Sequence, residues 1–153
     1  MIPAKAARHD SRSTIEQLAR FRYQLRQFLR SSEKRARAAG VTPQQHQLLL
    51  GVAGHTGRGW ATISELAEFL QERHNSVVGL VDRALRRNLV TKRHMAGDLR
   101  AVRVSLTPRG RRILKHLASF HRKELVRLQN RTGLRMVSTR SAGADGRGPG
   151  RLL

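Results

Sequence analysis

The segment from Thr62 to Leu106 changes its apolar repeat from that of a helix to that of a strand, and no other feature constrains the fold as strongly. In its first half, apolar residues recur three and four positions apart, which is typical of amphipathic helices. In its second half, Val102, Val104 and Leu106 alternate with polar residues, which is typical of a strand with one solvated face. The segment therefore predicts helices followed by a β-hairpin.

Two short helices are predicted in the first half. Thr62 and Glu65 have the spacing of a capping box and start a helix of about eight residues. Its expected core positions are Leu66, Ala67 and Leu70. The second helix spans roughly 73–87 and ends before Asn88, a residue that tolerates the left-handed conformation of a helix C-terminus. Its expected buried positions are Val77, Leu80, Val81 and Ala84.

The predicted hairpin pairs residues 90–95 with residues 101–106. The loop between them, Ala96–Arg100, contains Gly97, which permits a tight reversal. This arrangement is expected to place Arg100 at or near the tip.

Two long helices are predicted to flank this segment. One starts at a Thr14–Gln17 capping pair and ends before Gly40, and the other starts at Thr107-Pro108 and runs to about Gln129. A shorter helix between them starts with Thr42-Pro43 and buries Leu48, Leu49 and Val52. The long helices exceed what a small core needs, so they are expected to reach a second subunit.

These elements predict a mainly α fold with a small β-hairpin wing. The architecture is that of a winged helix-turn-helix with long N- and C-terminal dimerisation helices. We expect residues 1–13 to form a flexible N-terminus and 14–129 to form the folded domain. Residues 130–153 are rich in Gly, Ser and Arg and are predicted to be a disordered basic tail.

The charge of the chain favours a polyanionic partner. Thirty-one Lys and Arg against 10 Asp and Glu give a formal net charge of +21. Cysteine is absent, which excludes disulfides, cysteine zinc sites and thiol switches. No apolar run suits a signal peptide or approaches the ~20 residues of a membrane span. A cytoplasmic protein with no membrane association is therefore expected.

The N-terminus of the second short helix has side chains suited to reading DNA bases in the major groove. Arg73 can bind guanine bidentately, Asn75 can pair with adenine, and Ser76 can bind base edges or phosphate. His74 can donate or accept, and Gly79 permits a close approach. The alternative is an ordinary solvated helix start capped by Asn75 or Ser76. The predicted recognition-helix residues are Arg73, His74, Asn75, Ser76, Gly79 and Arg83.

The hairpin carries basic residues beside that helix. Asp98 would hold Arg100 by a charge-assisted hydrogen bond and direct it into a minor groove. The predicted DNA-binding residues of the wing are Lys92, Arg93, Asp98, Arg100 and Arg103.

Four stretches of the chain resemble the MarR family of bacterial transcription regulators: VTPQQHQLLL, TISELAEFL, NSVVGLVDRALRRNLV and GDLRAVRVSLTPRG. The resemblance implies a triangular homodimer whose terminal helices form the base and whose two wings bind a palindromic operator. It also implies a repressor that is released by a small aromatic or anionic effector. By this resemblance Asp98 and Arg100 are the wing pair, and residues 73–76 form the base-reading turn.

The leading hypothesis is a sequence-specific regulator that binds double-stranded DNA. The alternative is a nucleoid- or RNA-associated protein that uses charge without reading sequence, although the aromatic content of 4% argues against single-strand stacking. An enzyme is not expected, because no serine and acid accompany the histidines in a catalytic pattern. A metal site or cofactor is not expected either. Surface or capping roles are predicted for His46, His55, His116 and His121.

Overall fold

The computed structural model describes residues 4–132, with side chains for 12–97 and 101–131. Five α-helices, a π-helical turn and three strands follow in the order α1 (Ala4–Ala38), α2 (Pro43–Leu50), the π-turn (Gly51–His55), β1 (Trp60–Thr62), α3 (Ile63–Leu70), α4 (His74–Arg86), β2 (Val90–Met95), β3 (Asp98–Leu106) and α5 (Pro108–Thr132). The predicted mainly helical fold with a β-hairpin is confirmed.

Reciprocal hydrogen bonds cap α2 and α3, as the sequence predicts. Thr42 Oγ1 accepts from Gln45 N at 3.1 Å, and Thr42 N donates to Gln45 Oε1 at 3.1 Å. Thr62 Oγ1 accepts from Glu65 N at 3.3 Å, and Thr62 N donates to Glu65 Oε2 at 2.8 Å. Each box satisfies backbone donors that the first helical turn leaves free.

The predicted start of α1 at Thr14 is wrong, because the helix begins at Ala4. Residues 4–13, expected to be flexible, belong to this helix. Its alanine-rich first turns have high helix propensity, so the chain does not need a cap at position 14. Gln17 Nε2 instead donates to Ser13 Oγ at 3.3 Å inside the helix. At the other end of the chain, α5 includes residues 130–132, and the rest of the predicted tail lies outside the described residues.

The π-turn after α2 was not predicted. Gly51 begins this turn and lies close to Phe69 of α3, since a Cβ at Gly51 would come within 2.7 Å of Phe69 Cδ1. The glycine therefore lets α2 and α3 approach each other. The helical segment ends before Gly57 and Gly59, which both have positive φ angles.

The three strands form an antiparallel sheet in the order β1-β3-β2. β1 pairs with β3 through Trp60 opposite Ser105 and Thr62 opposite Arg103. The inner face of the sheet packs on the helices. Its buried residues are Ala61, Val90, Val104 and Leu106.

One core lies between α2, α3, α4, the inner face of the sheet and α5. Leu48, Leu49 and Val52 are buried, as predicted. The four predicted core positions of α4 are confirmed as well: Val77, Leu80, Val81 and Ala84. In α3, Leu66 is fully buried, whereas Ala67 and Leu70 lie at the margin of the core.

The end of α4 is anchored to the turn between α1 and α2. Arg87 Nη1 donates to Gln45 Oε1 at 3.0 Å, and Arg87 Nη2 donates to the carbonyl oxygen of Gly40 at 2.5 Å. Gln45 Oε1 thus accepts both from Arg87 and from the backbone of Thr42. Among the described helices, none has the length and apolar character needed to cross a membrane.

Candidate nucleic-acid interface

The N-terminus of α4 lies on the surface, where the sequence predicts the base-reading residues. α3 ends at Leu70, and the φ of 55° at its C-cap residue Gln71 reverses the chain. α4 begins at His74 with Arg73 as its N-cap residue. The residues from Arg73 through Ser76 are all exposed. The first turn of a helix has unpaired N–H groups and a positive dipole end, so this turn can bind phosphate as well as base edges.

The alternative that Asn75 or Ser76 caps this helix does not agree with the structure. Both residues lie inside α4, and the N-cap residue Arg73 makes no side-chain capping bond. Their side chains are therefore available for another partner.

A cavity of about 620 Å³ lies between α1, α2 and α4. Asn75, Ser76, Gly79 and Arg83 form part of its wall, so one side of the predicted recognition helix faces this cavity. The opposite wall includes Leu29, Ser32 and Glu33 of α1 and His46 of α2. An occupant of the cavity would therefore contact the helix predicted to read DNA.

The hairpin that follows α4 has a shorter loop than predicted. Its turn is Ala96-Gly97, with Gly97 at φ 86°, and Asp98 and Arg100 already belong to β3. The register shifts between His94, opposite Val102, and Met95, opposite Asp98, so β3 contains an irregularity near the tip. The predicted bond between Asp98 and Arg100 concerns side chains outside the described residues.

The remaining basic residues of the wing lie on different faces of the sheet. Lys92 is on the face that packs against α4, where its Nζ binds Asp82 Oδ1 at 3.1 Å. Arg93 and Arg103 are directly opposite each other on the outer face. The sequence grouped these three side chains as one set, whereas the alternation of the strands separates Lys92 from the two arginines.

A cluster on the outer face was missed by the sequence reasoning. The guanidinium carbon of Arg58 is 3.9 Å from the centre of the Trp60 ring, and that of Arg103 is 4.7 Å from it. Arg58 Nη2 also binds both carboxylate oxygens of Glu65, at 2.6 and 2.7 Å. Arg103 is far from Arg58 and Trp60 in the sequence, and only the pairing of β1 with β3 brings these residues together. No local sequence pattern therefore indicates this cluster.

The backbone amide of Thr62 and the guanidinium of Arg58 fix the charge of Glu65. Hydrogen bonding from Thr62 is the main reason that the pKa of Glu65 lies below its ordinary value; burial opposes this shift, and Arg58 lowers the pKa further. Glu65 therefore stays ionised while it caps α3.

Two of the four histidines assigned to surface or capping roles are buried instead, so that prediction is wrong for His46 and His121. Their rings stack at 5.3 Å between centroids and 15° between planes, and Phe28 of α1 lies 5.9 Å from His121. Burial, followed by the neighbouring His121, lowers the pKa of His46 to about 4. The pair joins α2 to the two long helices. Within the described part of the chain, no three potential ligand side chains gather into a metal site.

The long helices are joined near the same place. Glu124 Oε1 of α5 accepts from Ser31 Oγ at 2.6 Å and lies 3.6 Å from Arg35 Nε. The two long helices also carry large apolar side chains that are exposed on the described chain: Ile15, Leu18, Tyr23, Leu29, Phe120 and Val126.

Two helices, a three-stranded sheet and an exposed helix start beside a hairpin define a winged helix-turn-helix protein. Residues 39–101 match the model of the MarR family. The predicted resemblance to this family is thereby confirmed for residues 39–101.

A curated relative and several solved structures are also similar to this chain. The chain is 33% identical over 84 residues to the HTH-type transcriptional repressor MdtR of Bacillus subtilis. That match includes 55% of this chain and 50% of MdtR, so the chain spans about half the length of the curated relative.

A crystal structure of a MarR family transcription regulator superposes with a TM-score of 0.69 at 23% identity, over 82% of this chain and 81% of that one. The MepR–DNA complex of S. aureus superposes with a TM-score of 0.61 at 21% identity, over 72% of this chain and 79% of that one. AbsC of Streptomyces coelicolor superposes with a TM-score of 0.61 at 19% identity, over 84% of this chain and 81% of that one. These likenesses establish the fold.

Proposed function

We propose that this protein is a transcription regulator that binds double-stranded DNA and reads its sequence with the first turn of α4. The observation that carries the proposal is the exposure of Arg73 through Ser76 on a helix that stands beside a basic hairpin. An exposed helix start of this kind fits the ~12 Å major groove, while the hairpin reaches the neighbouring minor groove. The DNA complex of the similarly folded MepR supports this assignment.

Charge and base contacts have different roles in this proposal. The net charge of +21 supplies affinity for any duplex through contacts to phosphate. Arg73 and Asn75, together with Arg100 of the wing, supply discrimination between sequences.

A homodimer that binds a palindrome is the second part of the proposal. Several large apolar side chains of α1 and α5 are exposed to solvent, and an interface would bury them. Ile15, Leu18 and Val126 are at least half exposed, at 66%, 52% and 50%. Large apolar side chains left exposed on long helices are a feature of interaction sites. A second copy pairing through the long helices would place two α4 helices on one duplex.

The third part of the proposal is control by a small aromatic or anionic effector that releases a repressor from DNA. The cavity of about 620 Å³ is large enough for such a molecule, and Arg83 in its wall can bind a carboxylate. Because Asn75 and Ser76 share this wall, an occupant would compete with or reorient the base-reading turn.

The function is tested by selecting bound duplexes from a random pool and then competing the selected duplex against random duplex at fixed salt. We expect a palindromic site and a strong preference for it. A preference ratio near one would instead favour a nucleoid- or RNA-associated protein, and the proposal would be withdrawn.

The effector is tested separately with benzoate as the probe. We expect benzoate to weaken binding of the selected duplex by the wild type and to have less effect on Arg83→Gln. Equal inhibition of both proteins would argue against this cavity as the site.

A further inference from the structure

The outer face of the sheet carries three guanidinium groups and one indole. Arg58 precedes β1, Arg103 lies on β3, and both contact the ring of Trp60. Arg93 on β2 faces Arg103 across the strands. We refer to Arg58, Trp60, Arg93 and Arg103 as the outer-face cluster.

The cluster has more positive charge than its own surroundings neutralise. Glu65 is already bound by Arg58 and by the backbone of Thr62. Among the described residues, neither Arg93 nor Arg103 takes part in an ion pair, although like charges in direct register destabilise a strand pair. An anion bound between these arginines would remove that repulsion.

The geometry also determines which part of a duplex the cluster can reach. Lys92, on the opposite face of β2, binds Asp82 of α4, so the inner face of the sheet is turned toward the predicted recognition helix. Arg93 follows Lys92 in the same strand and points away from that helix. The outer face is therefore turned away from α4, and a duplex that reached the cluster would do so outside the groove that α4 would read.

We propose that the outer-face cluster binds the phosphate backbone of duplex DNA that flanks the site read by α4. Trp60 is a positioning residue: its ring contacts both Arg58 and Arg103 and holds the two guanidinium groups for the phosphates. Because these contacts already use its ring, Trp60 is poorly placed to stack a base, and the backbone is the favoured partner. This inference rests on the proposed function and adds a second contact region to it.

The test uses two duplexes with the same selected central site. One ends at the edges of the site, and the other extends by about one helical turn (~10 bp) on each side. Trp60 is the one tryptophan of the chain, so its fluorescence reports directly on this face. We expect the long duplex to bind more tightly and to change the emission of Trp60, and the short duplex to leave the emission unchanged.

The double variant Arg93→Ala, Arg103→Ala should lose the gain in affinity that the flanks provide, so that it binds the long and the short duplex with similar affinity. Its salt slope on the long duplex should fall by about 2, because each phosphate contact contributes about 0.9. The matched control is Arg111→Ala, Arg122→Ala, which removes two exposed cations from α5. This control variant should still bind the long duplex more tightly than the short one.

Positioning by Trp60 is tested with Trp60→Phe and Trp60→Leu. The phenyl ring of Trp60→Phe retains an aromatic face for the arginines, so this variant should keep most of the extra affinity for the long duplex. Leucine is also apolar but has no aromatic face, so Trp60→Leu should lose this extra affinity. Urea unfolding checks that both variants fold.

Equal affinity of the wild type for the two duplexes, or an undiminished gain in the Arg93 and Arg103 variant, would overturn the inference. Either result can occur while the short duplex is still preferred over random duplex, so it leaves the proposed function intact. Failure to prefer the short duplex would count against base reading by α4, which is a separate result.

Discussion

Gly110, in the first turn of α5, packs directly against the backbone carbonyl of Leu89, which follows α4. A Cβ at Gly110 would collide with that carbonyl, and the neighbouring hydroxyl of Thr107 accepts from Gly110 N at 3.0 Å. The same hydroxyl donates to the carbonyl oxygen of Asn88 at 2.7 Å. The start of α5 is therefore fixed to the end of the predicted recognition helix by backbone contacts.

Substituting Gly110 with alanine should destabilise the fold. The obstacle is backbone, which cannot rotate away, so we expect a loss of about 1–3 kcal/mol or more, as for overpacked cores. Urea unfolding measures the change. Gly54→Ala is the control, because its Cβ would meet no atom within 4 Å. Equal stability of the two variants would contradict the close packing at Gly110.

Substituting Arg73 with alanine should reduce discrimination between DNA sequences. We expect a cost of about 1–3 kcal/mol on the selected duplex, confined to one position of each half-site. Lys92→Ala should instead weaken all duplexes similarly, because the exposed part of its ammonium, which also binds Asp82, is predicted to contact phosphate, and a phosphate contact carries no sequence information. Competition binding on a set of single-base variants separates the two. The base-reading role of Arg73 would be rejected if both substitutions lowered selected and random duplex binding equally.

The stability of the protein should depend on pH through His46. The unfolded chain protonates this imidazole near its ordinary pKa of 6.5, whereas burial lowers the folded pKa to about 4. The unfolded state therefore binds more protons between these values, and the free energy of unfolding should fall as the pH drops from 6.5 to 4. The full effect is on the order of 3 kcal/mol.

Urea unfolding across this pH range tests the contribution of His46. His46→Phe retains a ring against His121 but does not titrate, so its pH profile should be flatter than that of the wild type. His74→Gln removes an exposed histidine and should leave the profile unchanged. Parallel profiles for His46→Phe and the wild type would show that another group dominates.

A charge on the apolar surface of α1 should prevent dimerisation. Ile15→Glu would place a carboxylate in the proposed interface, and we expect a dimer in the wild type and a monomer in the variant by sedimentation. Leu85→Glu is the matched control, because Leu85 is a partly exposed apolar residue of α4, away from the long helices. A monomeric wild type, or a dimeric Ile15→Glu variant, would exclude this interface.

The parts of the fold that could be predicted are those with a local chemical cause. Thr42 and Thr62 form capping boxes with residues three positions later, and Asn88 adopts the predicted positive φ of 53°. The spacing of apolar residues identified the buried face of α4 in the same way. These features depend on a few neighbouring residues, which the sequence displays directly.

The parts that could not be predicted depend on contacts between distant residues. The stacking of His46 on His121 requires the packing of α2 against α5, and neither residue has a neighbour in sequence that indicates burial. The contact of Arg103 with Trp60 requires β1 to join the sheet. For the candidate site, exposure of Arg73 through Ser76 agrees with expectation, while contact with DNA stays a prediction.

The shared oxygen of Gln45 has a consequence for communication within the molecule. Because this atom holds both the first turn of α2 and the side chain of Arg87, the linker after α1 cannot shift relative to the far end of α4 without breaking a bond to one of them. A change in the tilt of α1 would therefore either carry the C-terminal end of α4 with it or break one of these bonds, at a cost of about 1 kcal/mol.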